Sequence, residues 1–320
     1  MTFSEPFRAA LMIFQETIKL LPKNGKLVAL TIVLTLVLSS IFFLIFNFSN
    51  KSLLRDMLMR ESLIPLTRAN SAEFSTLLAR LKEDFELMLV IDVAFILAYW
   101  FIWLFSIVAT ILLSAFSHAE RRLSENNFIL LVLRSWKRPM ITGFYTTIMD
   151  IGYIFVVFLM ASPFIAFFSN SMSGAHLTIY LVGIVACVFY SYLSIVWVLG
   201  IVVSVIEGNC YGFGALGKAE ELIEGKRIEG FILNAIFVLL SVALSQGSRI
   251  IRGHKWLVND MVYELFLVNF SCLLRLLHFM AYTVLYFQCK KNHGEEIELQ
   301  GEGGVEYTKI YSTPLVDGTA

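Results

Sequence analysis

The feature that most constrains this chain is a set of six long apolar stretches. The clearest of them, Leu27–Phe48, contains no charged residue in 22 positions. A helix of that length crosses the hydrocarbon core of a bilayer, which is about 30 Å thick, at roughly 1.5 Å per residue. The sequence therefore predicts an all-α fold, a polytopic membrane helix bundle with about six transmembrane helices and additional interfacial amphipathic helices.

The composition agrees with this class. Hydrophobic residues make up 58% of the 320 residues and the mean hydropathy is +0.74, whereas soluble domains are about 45–50% apolar. The formal net charge is zero, so no overall basic field would attract nucleic acid. We expect the lipid bilayer to be the main partner and expect no direct binding of nucleic acid.

The apolar stretches divide the chain into three parts. Residues 1–26 are predicted to be a cytosolic amphipathic entry helix, because apolar residues from Phe7 to Leu21 recur at helical spacing. Residues 27–289 form the membrane domain, and 290–320 a flexible, acidic cytosolic tail. We expect the spans at residues 27–48, 87–113, 140–168, 177–206, 230–248 and 265–289.

Two features refine the predicted topology. Apolar residues from Phe74 to Phe85 recur at helical spacing and predict one long helix that runs from the first long loop into the second span. With both termini cytosolic, the cytosolic segments hold 15 of the 25 Lys and Arg residues and the opposite segments hold nine. This bias predicts cytosolic termini. Leu27–Phe48 is expected to act as an uncleaved signal anchor, which places the protein in the secretory pathway or the plasma membrane.

The cysteines do not form a CxxC pair or a disulfide framework. Most are interpreted as small packing residues. Cys289 is a candidate for reversible acylation, because it ends the sixth span directly before two lysines. The four cysteines are Cys187, Cys210, Cys272 and Cys289.

No motif indicates catalysis. The segment Gly212–Ala219 fits the start of a phosphate-binding loop, but Ala219 stands where a magnesium-binding hydroxyl is required. The loop residues His118, Glu120 and His254 show no metal-ligand spacing. We therefore predict no enzymatic activity, no cofactor and no metal site.

Ionisable residues inside the predicted spans are the stronger functional candidates, because charge in hydrocarbon is costly without a partner. Asp92, Asp150 and Arg275 lie in spans two, three and six, and His278 follows Arg275 by one turn. One interpretation is a proton- or ion-coupled pathway. The other is a structural ion pair between Arg275 and either Asp, or charges that extend toward water.

The loop between spans four and five is the candidate docking segment for a cytosolic protein, with the tail as a second possibility. Its glycines and a short helix predict a membrane-surface element. Small and apolar residues such as Ala215 and Leu222 are expected to face lipid or neighbouring spans. Lys218, Glu221 and Lys226 are expected to face water, and together with Glu207 they are the candidate docking residues of this segment.

The same segment carries a family resemblance. From Ser204 it reads SVIEGNCYGFGALGKAEELIEGKRIEGFILN, and the end of span six, Tyr286–His293, reads YFQCKKNH. Both resemble blocks of a plant family of six-span membrane proteins of unknown function, some of which are labelled polyadenylate-binding-protein-binding proteins. A looser similarity extends to a bacterial membrane domain associated with glycerophosphodiester phosphodiesterases, whose catalytic domain this chain has no room to hold. The resemblance implies a membrane protein and supplies no catalytic residues.

The sequence thus favours a non-enzymatic structural, scaffolding or membrane-organising component. The alternative is a transporter or channel for a small solute or ion that uses Asp92, Asp150 and Arg275. An intramembrane lipid enzyme is a third, weaker alternative. Discontinuous spans or an internal repeat would favour transport, and the sequence shows neither.

Overall fold

The computed structural model describes residues 4–61, 72–119, 124–168, 172–253, 260–294, 297–300 and 307–310. Within these ranges the chain is almost entirely helical, so the predicted all-α fold is confirmed. The helices are α1 (Ser4–Leu20), α2 (Gly25–Glu61), α3 (Ala72–His118), α4 (Glu125–Ser135), α5 (Lys137–Phe168), α6 (Met172–Ile206), α7 (Phe213–Leu222), α8 (Arg227–Gly253) and α9 (Asp260–His293).

Six of these helices, α2, α3, α5, α6, α8 and α9, are long and apolar enough to cross a membrane. The protein is therefore an integral membrane protein, as its composition predicts. The helices outrun the predicted spans: α2 continues to Glu61, and α3 begins at Ala72. The expected long helix leading into the second span is thus present as the 47-residue α3.

Two short strands follow α9 and were not predicted. β1 (Ile297–Gln300) pairs antiparallel with β2 (Tyr307–Ile310), with Ile297 opposite Ile310. The segment predicted as a flexible tail therefore begins with the last turn of α9 and includes this pair. Residues 295–296, 301–306 and 311–320 lie outside the described residues.

Helix α9 occupies the middle of the bundle, where it packs against α2, α3, α6 and α8. α5 pairs mainly with α6, while α1 lies against α8 and α9. Successive spans reverse direction, so the first turns of α2, α5 and α8 lie at the same end of the bundle as the last turns of α3, α6 and α9. A 3.0 Å hydrogen bond from Asn24 to Ser117, between the start of α2 and the end of α3, illustrates this.

The buried core is concentrated at that end, which we call the packed end. Its largest contributions are Leu104–Phe116 of α3, Ile195–Ile206 of α6 and Phe279–Cys289 of α9. At the opposite end, which we call the open end, large apolar side chains such as Phe48, Ile154 and Leu239 are exposed. In a membrane these side chains face lipid, so their exposure carries no hydrophobic penalty.

Candidate functional site

Two glycines fix the position of the short helix α7 at the packed end. Gly212 precedes α7 with φ +62°, a conformation that favours glycine, and its N–H donates a 2.9 Å hydrogen bond to Thr142 Oγ1 on α5. On α6, a Cβ at Gly200 would lie 2.7 Å from Cδ2 of Leu216. A side chain at this position would force Leu216 to move, so Gly200 permits the close approach of α7 to α6.

As a result α7 is part of the core. Ala215, Leu216, Ala219 and Leu222 are all buried. The sequence left open whether such residues face lipid or neighbouring spans, and the structure places them against the spans. α7 therefore completes the packed end of the bundle.

A buried carboxylate connects α7 to the ends of α6 and α9. Glu207, whose side chain is 13% exposed, pairs with Lys290 at 3.1 Å and with Lys218 at 3.2 Å. The Tyr286 hydroxyl donates a 2.7 Å hydrogen bond to Oε1 of the same carboxylate. Burial raises the pKa of Glu207, but the Tyr286 hydrogen bond and the two lysines outweigh it, so the pKa is lowered overall. Glu207 is therefore an anion at neutral pH.

A second set of ion pairs fastens the turn between α7 and α8. Lys226 pairs with Glu229 at 3.1 Å, and Arg227 pairs with Glu220 at 3.5 Å. The Arg227 guanidinium also lies over the ring of Tyr192 on α6, with its carbon 5.8 Å from the ring centre. These contacts hold the turn onto the bundle.

The prediction that the charges of this segment face water is wrong for two residues. The side chains of Lys218 and Lys226 are only 28% and 15% exposed and are held in the ion pairs above. Glu207 is likewise engaged inside the protein, and Glu221 alone of the four candidates is exposed. Sequence reasoning missed the contacts of Glu207 with α9 because Tyr286 and Lys290 lie about 80 residues away in the chain.

Helix α1 is fastened to the packed end by a polar cluster that sequence reasoning missed. Glu16 accepts a contact from His118 Nε2 at 3.4 Å and a 3.2 Å hydrogen bond from Gln288. The His118 ring stacks on Phe287 with 4.6 Å between centres. The hydrogen bond from His118 is the main cause that lowers the pKa of Glu16. α1 is thereby joined to the ends of both α3 and α9.

Around its axis, α1 has three faces. Ala10, Ile13, Thr17 and Leu20 are buried against the bundle. A second face is apolar yet exposed, since Phe7, Leu11 and Ile18 expose 48%, 41% and 47% of their surface. A third, also exposed, carries Arg8, Gln15 and Lys19. The predicted amphipathic helix is confirmed, but it has one apolar face for the protein and another directed outward.

Helix α4 repeats this arrangement between α3 and α5. Phe128 and Val132 are buried, whereas Ile129, Leu130 and Leu133 are exposed. Helix α4 was not predicted, although Phe128, Val132 and Ser135 recur at the helical spacing of its buried face. We call α1, α4 and α7 together the collar of the packed end.

The intramembrane charges are not brought together. Asp92 on α3 accepts a 3.0 Å hydrogen bond from Asn50 on α2. Asp150 on α5 interacts with Tyr190 on α6. Arg275 on α9 lies against Trp103 on α3, with 5.9 Å from the guanidinium carbon to the ring centre. The predicted ion pair between Arg275 and either Asp is absent, because each charge belongs to a different pair of helices.

Two further candidates are also placed by the structure. His278 lies among the rings of Phe237, Phe279 and Tyr282. Cys289 is fully buried in the core at 0% exposure. Its thiol is out of reach of an acylating enzyme in this conformation, so the packing interpretation suits it better.

These positions can be compared with known families. A family model described as a domain of unknown function, DUF8558, matches residues 7–301. The chain belongs to the DUF8558 family. No curated protein matches the chain, and no solved structure matches it. The DUF8558 match runs from the first turns of α1 past β1, so it covers the collar as well as the six long helices, and its description carries no activity. The resemblance to the plant six-span family stays a prediction.

The fold does not support a nucleotide or metal site in this DUF8558 protein. In the segment that resembles a phosphate-binding loop, the Gly212 N–H is hydrogen-bonded to Thr142 and Lys218 is paired with Glu207, so both groups are already engaged within the protein. Within the described ranges no group of three His, Cys, Asp or Glu side chains could hold a metal ion. Glu120 and His254 lie outside the described residues.

Proposed function

We propose that this protein is a non-enzymatic membrane-organising component whose collar inserts into one leaflet of the bilayer. The observation that carries the proposal is the exposed second apolar face of α1 and of α4, at the same end of the bundle. A face of this kind is favourable where it sinks about 5–10 Å into the boundary between headgroups and acyl chains.

The attachment of the collar supports this function. The buried face of α1 and the Glu16 cluster hold the helix in one orientation on α3 and α9. A helix held in this way cannot turn its outer apolar face away from the membrane. The described residues place α1, α4 and α7 all at the packed end, so the inserted volume is added to one leaflet and not to the other. Such asymmetry favours a curved membrane.

The orientation of the protein in the membrane is inferred from the distribution of Lys and Arg between the two sides. If the packed end faces the cytosol, as the distribution of Lys and Arg favours, the collar occupies the cytosolic leaflet of the secretory pathway or plasma membrane. In that orientation we propose the exposed Glu221 and the C-terminal tail as the parts that a cytosolic protein partner would contact. Both the orientation and the partner are parts of this proposal.

The alternative, a transporter or channel, requires Asp92, Asp150 and Arg275 to line one path. Each instead contacts a different pair of helices. No observation on these three residues favours transport over membrane organisation.

The test is reconstitution of the purified protein into large unilamellar vesicles, imaged by cryo-electron microscopy. We expect the wild-type protein to produce tubules or vesicles of smaller diameter. The double variant Leu11→Glu and Leu130→Glu places charge on the outer apolar faces and should abolish the effect. Gln15→Glu adds a charge to the polar face of α1 and is the matched control, which should act as the wild type does. Equal vesicle shapes for the wild-type protein and the double variant would refute the proposal.

A further inference from the structure

A cleft lies between α8 and α9, next to the buried core and toward the open end of the bundle. It has a volume of about 370 Å³, within the size range of small-molecule sites, about 300–1,000 Å³. All of its lining residues lie in the membrane-spanning parts of the two helices. In a bilayer this space is filled by lipid or by water.

The wall of the cleft combines polar and apolar side chains. Arg275 and Ser271 stand one turn apart on α9, and Ser241 and Ser245 stand one turn apart on α8. Leu244, Leu267 and Leu274 continue the wall. Because Ser241 and Ser245 donate to carbonyls of their own helix, the cleft offers a ligand the Arg275 cation, the Ser271 hydroxyl and an apolar surface.

Arg275 has no carboxylate to neutralise it within the described part of the chain. The ion pairs there involve Lys82, His118, Lys218, Lys226, Arg227 and Lys290. Beside the guanidinium, His278 lines the same cleft, and its Nε2 is buried without a hydrogen-bond partner. Arg275 lies 15 residues before Lys290 on α9, roughly 22 Å along the helix, so the packed-end carboxylate does not reach it.

A guanidinium at this depth is costly unless an anion or water reaches it. Its planar set of donors matches a carboxylate or a phosphate. The two helices that form the cleft also expose apolar side chains, among them Val242 on α8 and Phe270 on α9, and the lining lies within membrane-spanning segments. A ligand that enters from the side therefore arrives through lipid.

We propose that the cleft between α8 and α9 binds one lipid with an acidic headgroup. The phosphate or carboxylate is held by Arg275 with hydroxyl support from Ser271. The first part of the acyl chain lies along the leucines of the cleft. This site is separate from the collar, and its loss leaves the collar intact.

The test is native mass spectrometry of the full chain in detergent, titrated with phosphatidic acid or with phosphatidylcholine of the same acyl chains. We expect one phosphatidic acid to be retained and phosphatidylcholine to be retained about tenfold more weakly. Arg275→Gln should weaken the binding of phosphatidic acid by about tenfold or more, and Arg275→Lys should weaken it by less. Lys291→Gln removes an exposed cation at the packed end of the same helix and should change nothing.

A second variant guards against misfolding of Arg275→Gln. Ser271→Leu keeps the cation but fills the cleft, and it should also displace the lipid. Inorganic phosphate is added as a competitor and should not displace it. Equal retention by the wild-type protein and by both variants overturns the proposal, and so does displacement by inorganic phosphate, which would assign the site to a free anion.

Discussion

The two ends of the bundle differ in what holds their helices together. At the packed end, a buried core and ion pairs join the helices, as Glu207 is joined to Tyr286, Lys218 and Lys290. At the open end, the helices expose large apolar side chains such as Phe48 and Leu239. The packed end therefore holds its shape by itself, whereas the open end depends on the surrounding lipid.

The largest contrast we expect is in thiol reactivity. Cys187 on α6 is exposed, while Cys289 at the packed end is fully buried. The lipid around Cys187 slows its reaction because few thiolates form there, but a core thiol reacts only when its surroundings open, so a membrane-permeant maleimide should still modify Cys187 about tenfold faster or more. Mass spectrometric mapping over a time course measures both rates in one sample. Comparable rates would show that the packed end opens readily, and would revive acylation of Cys289.

The next largest effect concerns Glu207. Glu207→Gln removes the negative charge that pairs with Lys290, whose side chain is 7% exposed. Breaking a buried pair on one side lowers stability by about 3–5 kcal/mol. Thermal unfolding in detergent should show a clear drop in midpoint. Glu221→Gln, an exposed carboxylate on the same segment, is the control and should leave the midpoint unchanged; a similar midpoint for both variants contradicts the role of the network.

A smaller effect is expected from α6. Gly200→Leu places a side chain where Leu216 already sits and should lower stability by about 1–3 kcal/mol through overpacking. Gly183→Leu lies on the same helix toward the open end, where nothing lies within 4 Å of an added Cβ. It should leave the unfolding midpoint close to that of the wild type. If both substitutions act alike, the two ends do not differ in packing.

The smallest effect is in pH dependence. The pKa values of Glu16 and Glu207 are lowered in the folded protein. Their stabilisation is therefore complete above the ordinary glutamate value of 4.5 and is lost as the pH falls below it toward the lowered values. The unfolding midpoint should decline below that pH, and Glu207→Gln should reduce the decline. A midpoint that rises on acidification would mean that the two carboxylates are not stabilised as anions.

The sequence predicts most of the fold because lipid imposes simple rules on composition and length. Leu27–Phe48 could hardly be anything but a span, and the spacing from Phe7 to Leu21 was enough for α1. The site was harder, because it depends on which helices are neighbours. Depth along a span suggested that Arg275 could meet Asp150, but depth does not specify helix order, and Asp150 faces Tyr190 instead. Nothing local to Glu207 points to Lys290.

The distance in the chain between Glu207 and Lys290 also sets the order of assembly. The ribosome adds about 5–20 residues per second, so the 83 residues that separate the two take roughly 4–17 s to synthesise. During that interval the carboxylate at the end of α6 has neither Tyr286 nor Lys290 beside it. A nascent chain that stalls before α9 therefore holds this carboxylate with Lys218 as its partner, and lacks the contacts that join the end of α6 to α9.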